Sequence, residues 1–197
     1  EFTFDGSVTE WVDVCTSGYS YEVEGCTING EPFKLNDLGI YGDCDVTYNG
    51  AYYAYASTAA NLAKYVNEAK GDIEVFVTGD IAGDATLQQK PNVGVTITGN
   101  GKNYNGAIVI DGKSAGYDTA SMTIKGLNFS ANTLSDDAFI NLGKEGNNNT
   151  RYTRNVRVEG CTFSSTGEAI VAVKSYTGGD KNLSIKGCTG TGLHSLL

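Results

Sequence analysis

Val156-Arg157-Val158-Glu159-Gly160-Cys161-Thr162 is the stretch that decides the fold, because it returns as Leu183-Ser184-Ile185-Lys186-Gly187-Cys188-Thr189. In both copies apolar and polar residues alternate ahead of a glycine, as in a β-strand that ends at a sharp corner. Related phrases end at Gly79, Gly99 and Gly126. The apolar residue two places before each glycine stands at 77, 97, 124, 158 and 185, so the steps are 20, 27, 34 and 27 residues. Such recurrence is typical of a repeat architecture.

A second series of strands recurs between these phrases. It starts at Ala107, Ala138 and Ala169, so its starts lie 31 residues apart. Two series that keep step predict stacked coils of about 20 to 30 residues, each pairing its backbone with the next in parallel. From about Asp72 onward we therefore expect an all-β fold, a right-handed parallel β-helix. A β-sandwich would favour antiparallel hairpins with short loops, and the steps are too long for that.

Residues 57–70 predict a single α-helix ahead of the repeats. Ser57 or Thr58 can cap its first turn, and apolar residues follow at three-to-four spacing. Gly71 is expected to end the helix in a left-handed conformation. We expect this N-terminal cap to lie over the open end of the stack and to cover its first backbone edge.

The chain divides into two regions on these patterns. Residues 1–50 form a small β-rich N-terminal region, because short alternating runs are separated by turn signals such as Asn29-Gly30 and Asn49-Gly50. Residues 51–197 form the β-helix domain. The apolar end at Leu196-Leu197 leads us to expect that the natural chain continues.

The charge balance excludes several classes of partner. Lys and Arg number 14 against 23 Asp and Glu, which gives a formal net charge of −9 over 197 residues. An acidic surface repels phosphate backbones and anionic lipid, so we expect neither nucleic acid nor a membrane surface as a partner. The charge also weighs against an enzyme acting on polyanionic pectin or alginate. No apolar run is long enough to span a bilayer, so no membrane insertion is expected.

Cysteine and histidine usage predicts no metal centre. The five cysteines form no Cys-x-x-Cys pair and His194 is the single histidine, so no zinc site is expected. Cys15, Cys26 and Cys44 can hold one disulfide if the compartment is oxidising. For Cys161 and Cys188, which occupy the same place in successive phrases, stacking predicts neighbouring buried thiols rather than a disulfide.

From about Ala51 to Leu197 the chain resembles the pectin-lyase-like superfamily of right-handed β-helices. The helix followed by Gly71-Asp72-Ile73-Glu74-Val75 is similar to that superfamily's entry cap, and Gly160-Cys161-Thr162-Phe163 resembles its common coil wording. The resemblance implies the fold more strongly than the function, since the superfamily holds lyases, hydrolases, adhesins and phage tailspikes. The phrasing is also similar to surface and phage proteins, which implies a member of that type rather than an active lyase.

The resemblance also implies where catalytic acids would lie. Residues 167–175 resemble the coil that carries paired aspartates in polygalacturonase-like hydrolases, but Glu168 and Ala169 stand at those places, and Ala169 cannot hold a proton. If the chain were an enzyme, its catalytic residues would be Asp136, Asp137, Glu168 and Arg154. A solvated turn is the commoner role of an adjacent acid pair, so we expect no catalysis. We expect no cofactor either, calcium being the one metal that a lyase would need.

An extended glycan suits the long flat face of a β-helix, with tyrosine rings for stacking and polar side chains for hydroxyls. Four tyrosines in turn-rich stretches are predicted to be exposed and to bind such a ligand: Tyr104, Tyr117, Tyr152 and Tyr176. Three more form an aromatic patch at the cap, where they either pack on the helix or face solvent: Tyr52, Tyr53 and Tyr55.

The leading hypothesis is a non-catalytic extracellular module, an adhesin or structural domain at a cell or virion surface that recognises carbohydrate or another host-surface ligand. One alternative is a polysaccharide lyase or glycoside hydrolase acting on an acidic polysaccharide. Another is a phage fibre or capsid-decoration protein that works as a homotrimer.

Overall fold

The computed structural model describes residues 3–4, 18–28, 30–112, 118–134, 136–143, 152–167, 170–176 and 180–197. Within them the chain is mostly β, with the α-helix α1 (Ala59–Glu68) and a 3-10 turn (Leu35–Asp37). The strands are β1 (Thr3–Phe4), β2 (Ser20–Val23), β3 (Thr27–Ile28), β4 (Glu31–Pro32), β5 (Cys44–Tyr48), β6 (Ala51–Ala56), β7 (Ile73–Val77), β8 (Ile81–Ala82), β9 (Ala85–Gln88), β10 (Gly94–Thr98), β11 (Asn103–Asn105), β12 (Ile108–Asp111), β13 (Ser121–Lys125), β14 (Asn128–Ser130), β15 (Ala138–Leu142), β16 (Val156–Glu159), β17 (Thr162–Ser164), β18 (Val171–Ser175), β19 (Ser184–Lys186) and β20 (Thr189–Thr191).

Three sheets carry the strands from β7 onward, and the chain visits them in the same order each time. Sheet 1 has the order β19-β16-β13-β10-β7-β6-β5-β2, sheet 2 the order β20-β17-β14-β11-β8, and sheet 3 the order β18-β15-β12-β9. Each passage through the three sheets forms one coil, and its strands pair in parallel with those of the coil before. The predicted all-β chain with parallel strands is confirmed.

The register of sheet 1 follows the repeated phrase except at its first step. Three pairs fall as predicted: Ile97 beside Ile124, Ile124 beside Val158, and Val158 beside Ile185. At the first step the prediction was wrong, because Ile97 pairs with Val75 and not with Val77. A slip of two residues leaves the same side chains facing inward, so the alternation of apolar and polar residues cannot distinguish the two registers.

The equal step predicted for sheet 3 is also wrong. Ile108 pairs with Ile140 and Ala138 pairs with Val171, so the steps are 140 − 108 = 32 and 171 − 138 = 33 residues. The core residues Ile108, Ile140 and Val173 are aligned with one another, whereas Ala107 lies in the corner before β12. The similar sequences at the strand starts therefore predicted the first step one residue too short and the second step two residues too short.

Aromatic side chains stack in the interior behind sheet 2. Tyr104 pairs with Phe129 and Phe129 with Phe163 in successive coils, with ring centroids 5.4 and 5.1 Å apart. Phe139 lies 5.7 Å from the Phe129 ring and 5.8 Å from the Phe163 ring. Each such aromatic pair contributes about 0.5–1.5 kcal/mol beyond the burial of its area, so this stack is a strong link between coils.

The helix begins where the sequence predicts and ends earlier. Thr58 caps it, because its hydroxyl accepts a hydrogen bond from the Asn61 N–H at 3.1 Å. Ala69, with φ −53° and ψ 131°, turns the chain away. Gly71 is not left-handed, so the predicted glycine stop is wrong. Instead the Lys90 ammonium donates to the Ala69 carbonyl at 2.8 Å and to the Asn67 carbonyl, which satisfies carbonyls that the last turn leaves open.

The helix covers the outer edge of β9, the first strand of sheet 3. Asn67 substitutes for a neighbouring strand there: its amide nitrogen donates to the Thr86 carbonyl at 3.0 Å, and its oxygen accepts from the Gln88 N–H at 2.7 Å. Leu62 and Val66 fill the core below. An edge that would otherwise be open to pairing is thereby closed.

Residues of the N-terminal region belong to the same sheet as the coils. The predicted boundary near residue 50 falls in the turn between β5 and β6, which pair antiparallel, while β6 pairs in parallel with β7. A second apolar cluster around Phe33, Leu38 and Val46 packs against Phe76 of β7. The buried Asp43 joins this region to the helix, because its carboxylate accepts from the Ser57 N–H at 2.8 Å and from the Asn61 amide at 2.7 Å.

Cys161 and Cys188 lie at matching positions in successive coils, as predicted, and neither is in a disulfide. Their thiols make matching contacts, Cys161 with the Glu159 carbonyl and Cys188 with the Lys186 carbonyl. Burial raises the pKa of the Cys161 thiol to about 11.

Candidate functional site

The candidate catalytic corner at Asp136 and Asp137 contacts its neighbours through the backbone. Asp137 is left-handed, with φ 54°, as a residue in a tight corner. The Asp136 carbonyl accepts hydrogen bonds from the Lys174 ammonium at 3.2 Å and the Tyr176 hydroxyl at 3.3 Å. Glu168, which was expected to join them, lies outside the described residues. The contacts support a structural corner.

Arg154 serves the corner before β16 and does not meet the aspartate pair in any contact of the described residues. It is 9% exposed, and its Nε donates to the Asp118 carboxylate at 2.8 Å. The Gln89 side chain holds the Arg154 backbone from both sides, at 2.6 Å to its carbonyl and 2.8 Å to its N–H. The hydrogen bond from Arg154 lowers the pKa of Asp118. The structure does not bring Arg154 together with Asp136 and Asp137 as expected, because the guanidinium pairs with the exposed carboxylate of Asp118.

The predicted exposed tyrosines fare differently from one another. Tyr104 is wholly buried, so its prediction as a binding ring was wrong; it occupies the inward register between Ile81 and Phe129. Tyr152 and Tyr176 are half-buried, each with a cation over its ring, from Arg154 at 5.4 Å and from Lys174 at 4.8 Å. Tyr117 lies outside the described residues. None of the three described tyrosines is exposed as predicted.

A groove on either side of Tyr52 and Tyr53 is the more promising site. Tyr52 is 51% exposed, and the two rings line two adjoining hollows of about 320 and 300 Å³. We call the first the helix-side hollow, since Tyr65, Glu68 and Gly71 line it, and the second the sheet-side hollow. The two together are the tyrosine groove.

The outer face of sheet 1 supplies the floor of the sheet-side hollow. Outward residues of β6, β7, β10 and β13 line up across the strands: Tyr53 beside Glu74, Glu74 beside Thr96, and Thr96 beside Thr123. Four strands at about 4.8 Å spacing make this polar floor about 14 Å wide. Regular pairing thus presents hydroxyls and a carboxylate in one row.

The walls of the groove are acidic on one side and mixed on the other. Asp72 and Glu74 line the sheet-side hollow, and none of its described lining residues is Lys, Arg or His. Glu74 is already engaged, because its Oε1 accepts from the Thr98 hydroxyl at 2.6 Å and pairs with Lys125 at 3.2 Å. The helix-side hollow carries both signs of charge: Asp45, Glu68, Lys64 and Lys70.

The sequence carries one partial signal for Tyr52 and Tyr53, which is their adjacency within β6. Adjacent residues of a strand face opposite ways, so two successive tyrosines cannot both pack on one core. Tyr55, by contrast, is 8% exposed and stacks on Phe76 with centroids 5.4 Å apart. Alternation within β6 therefore places Tyr52 and Tyr53 on opposite faces, but it does not distinguish Tyr53 from the buried Tyr55, which faces the same side.

A larger hollow of about 550 Å³ runs beside β18, the last strand of sheet 3. Asp137, Lys174 and Asp180 line it together with apolar side chains such as Leu142 and Val173. Its wall is the edge of β18, which the C-terminal segment already covers in part, because the Ala172 and Val173 N–H groups donate to the Ser195 and Leu196 carbonyls. We therefore assign it no ligand.

Two further observations concern the part of the chain that the structure describes. No three side chains of His, Cys, Asp or Glu stand close enough to hold a metal ion in that part of the molecule. No helix there has the length and apolar character that crossing a bilayer requires. Comparison of the chain with models of known protein families, with curated proteins and with solved structures finds no match.

Proposed function

We propose that the chain is a right-handed parallel β-helix that binds an extended glycan in the tyrosine groove without transforming it. The cyclic order of the three parallel sheets supports the β-helix. Crossovers between parallel strands of one sheet are right-handed in about 98% of cases, which supports the hand.

One observation carries the binding proposal: the exposed Tyr52 stands between two open hollows with polar walls. A sugar ring has an apolar C–H face and a rim of hydroxyls, so it suits a flat aromatic ring flanked by hydrogen-bonding side chains. Tyrosine serves here because it offers contact area at a small loss of side-chain freedom. The row of Glu74, Thr96 and Thr123 would bind hydroxyls along the chain of sugars.

The contacts of the acidic corner support binding over catalysis. Glycoside hydrolysis needs two carboxyl groups facing one bond, with one of them held protonated. Asp136 and Asp137 are adjacent in the chain, and the cation beside them, Lys174, bonds to the Asp136 carbonyl. Ala169 stands where the resemblance would place a second acid.

We also propose that the module works outside the cell, at a cell or virion surface. The composition supports this, with 12 Tyr against one Trp and one Met, as does the resemblance to surface and phage proteins. A ligand-binding groove on the side of a stack of coils would face outward in such a setting.

The proposal is tested by measuring the binding of oligosaccharides with calorimetry. We expect a Tyr52→Ala variant to bind a neutral hexasaccharide about tenfold more weakly, equivalent to about 1.4 kcal/mol. Tyr41, which is 67% exposed and lies outside the groove, provides the matched control, and Tyr41→Ala should bind like the parent. Equal weakening by both substitutions, or the appearance of shorter or unsaturated products, would overturn the proposal.

A further inference from the structure

A gap one side chain wide interrupts the sheet-side hollow at Gly94. Asp72, which precedes β7, lies beside Gly94 and Ser121 in one row across the sheet, because Gly94 pairs with Ser121 and donates its N–H to the Asp72 carboxylate. The next outward row is filled at every strand, by Glu74, Thr96 and Thr123. In the first row, by contrast, the middle position carries no side chain, and this is the gap.

Backbone geometry does not explain this glycine. Gly94 is absent from the positive-φ residues of the described chain, so its backbone conformation suits any residue. A β-carbon added at Gly94 would lie 3.2 Å from Asp72 Oδ1 and 3.2 Å from Ser121 Oγ. The gap is thus flanked by a carboxylate oxygen on one side and a hydroxyl on the other.

The carboxylate beside the gap has capacity for a ligand. Asp72 is exposed, and its Oδ1 accepts from the Gly94 N–H at 2.6 Å. Its Oδ2 has no hydrogen bond to any described residue, whereas Glu74 is neutralised by Lys125. The negative charge that remains in this hollow is that of Asp72.

We propose that the glycan bound in the groove carries a free amino group, and that its ammonium enters the gap at Gly94 between Asp72 and Ser121. This inference rests on the proposed function. The ammonium is a small cation with three donors, so it can bond to the carboxylate and the hydroxyl at once, and charge-assisted bonds of this kind are about twice as strong as neutral ones. A sugar with its own carboxylate would meet like charge at the same place.

Three hexasaccharides of one linkage decide between the outcomes, because they differ only at position 2 of each sugar. These are the β-1,4-linked oligomers of glucosamine, N-acetylglucosamine and glucose, which carry an ammonium, an acetamide and a hydroxyl. We expect the glucosamine hexamer to bind at least tenfold more tightly than the other two at low salt. The preference should fall as salt is raised, because an exposed ion pair is screened.

Substitutions locate the ammonium. Asp72→Asn keeps an oxygen for the Gly94 N–H but removes the charge, and should abolish the preference for glucosamine. Gly94→Ala fills the gap and should do the same. Glu31→Gln removes one charge far along the chain, on β4, and should leave the preference intact. Gly79→Ala adds an equally tight methyl, 3.3 Å from Ser57 Cβ, outside the groove and controls for packing.

The results separate this inference from the proposed function. If none of the hexamers binds, both are wrong. If all three bind equally and Tyr52→Ala weakens them, the groove stands and the ammonium site is overturned. A preference that survives both Asp72→Asn and Gly94→Ala also overturns the ammonium site. Should Asp72→Asn not fold, Gly94→Ala and the ligand series still decide.

Discussion

Tyr52 and Tyr104 place the same phenol side chain in opposite surroundings, one 51% exposed and the other wholly buried. Both rings stand in inward-facing rows of their sheets. Tyr104 is in line with Ile81 and Phe129, and Tyr52 pairs with Ile73, which packs against the core. The difference in burial comes from position, because Tyr104 lies within the stack whereas Tyr52 lies near the start of β6, beside the helix-side hollow. Burial also raises the pKa of Tyr104 above its usual range, so this hydroxyl stays protonated in the folded chain.

The thiol of Cys161 should make the free energy of unfolding depend on pH in the alkaline range. Burial raises its pKa from 9.0 to about 11, so the unfolded thiol ionises near pH 9 while the folded thiol keeps its proton until about pH 11. Between these values the unfolded chain binds fewer protons, and the free energy of unfolding falls as pH rises, by about 2 kcal/mol in total. Urea unfolding of the parent and of Cys161→Ala at pH 8 to 11 measures the difference. Parallel pH curves for the two proteins would contradict the assignment.

At the scale of the element, the helix shows how a sheet edge is closed without a strand. Asn67 occupies one position on the helix yet satisfies an acceptor and a donor of β9, two residues apart on that strand. The sequence predicts the helix and its start, because an apolar stripe and a capping hydroxyl are local features. It does not predict the role of Asn67, because nothing local distinguishes an asparagine facing solvent from one facing a strand edge.

Replacing Asn67 by Ala should destabilise the chain by about 1–3 kcal/mol, since two backbone groups of β9 lose their partners. Asn67→Asp retains an oxygen for the Gln88 N–H but loses the donor to the Thr86 carbonyl, so its loss should be smaller. Denaturant unfolding should show the parent to be the most stable of the three proteins and Asn67→Ala the least stable. Hydrogen exchange at Gln88 should quicken most in Asn67→Ala. Unchanged exchange at Gln88 in Asn67→Ala would show that the helix does not seal this edge.

The strand register is the second feature at this scale that the sequence does not predict. The repeated sequence pattern predicts which residues form strands and which side of each strand faces inward. It misplaces Val75 against Ile97 by two residues, and it misplaces the starts of sheet 3 by one and two. Corner length is free to vary between coils, so the register depends on which apolar side chains meet in the core, and that is a property of the assembled fold.

At the scale of the whole molecule, coils contact mainly their neighbours, as in other stacked repeats. The repeat therefore predicted the parallel all-β architecture from sequence alone. The groove at Tyr52 was not predicted, because it forms where three different kinds of element meet. These are the hairpin of β5 and β6, the end of the helix, and the outer face of sheet 1. No single periodicity describes such a junction.

Phe129 lies at the centre of the aromatic stack, and its loss should be felt in the coils on both sides. We expect Phe129→Ala to lower the free energy of unfolding by about 3–5 kcal/mol, since a buried ring is replaced by a cavity. Hydrogen exchange should quicken at Tyr104 and at Phe163 alike. Phe76→Ala, at a half-buried ring on the outer face, should cost less. Quickening on only one side of Phe129 would indicate that the coils open independently.

The start of the stack has a consequence for aggregation. A pile of parallel strands is a template on which foreign β-segments could grow, as they do on a fibril end. Here sheet 3 meets the helix through Asn67, sheet 2 begins with the two-residue strand Ile81–Ala82, and sheet 1 passes into an antiparallel hairpin. Beyond this hairpin sheet 1 ends on the four-residue strand β2. Templated growth at this end is therefore hindered at sheets 2 and 3, and β2 is the edge at which it could begin.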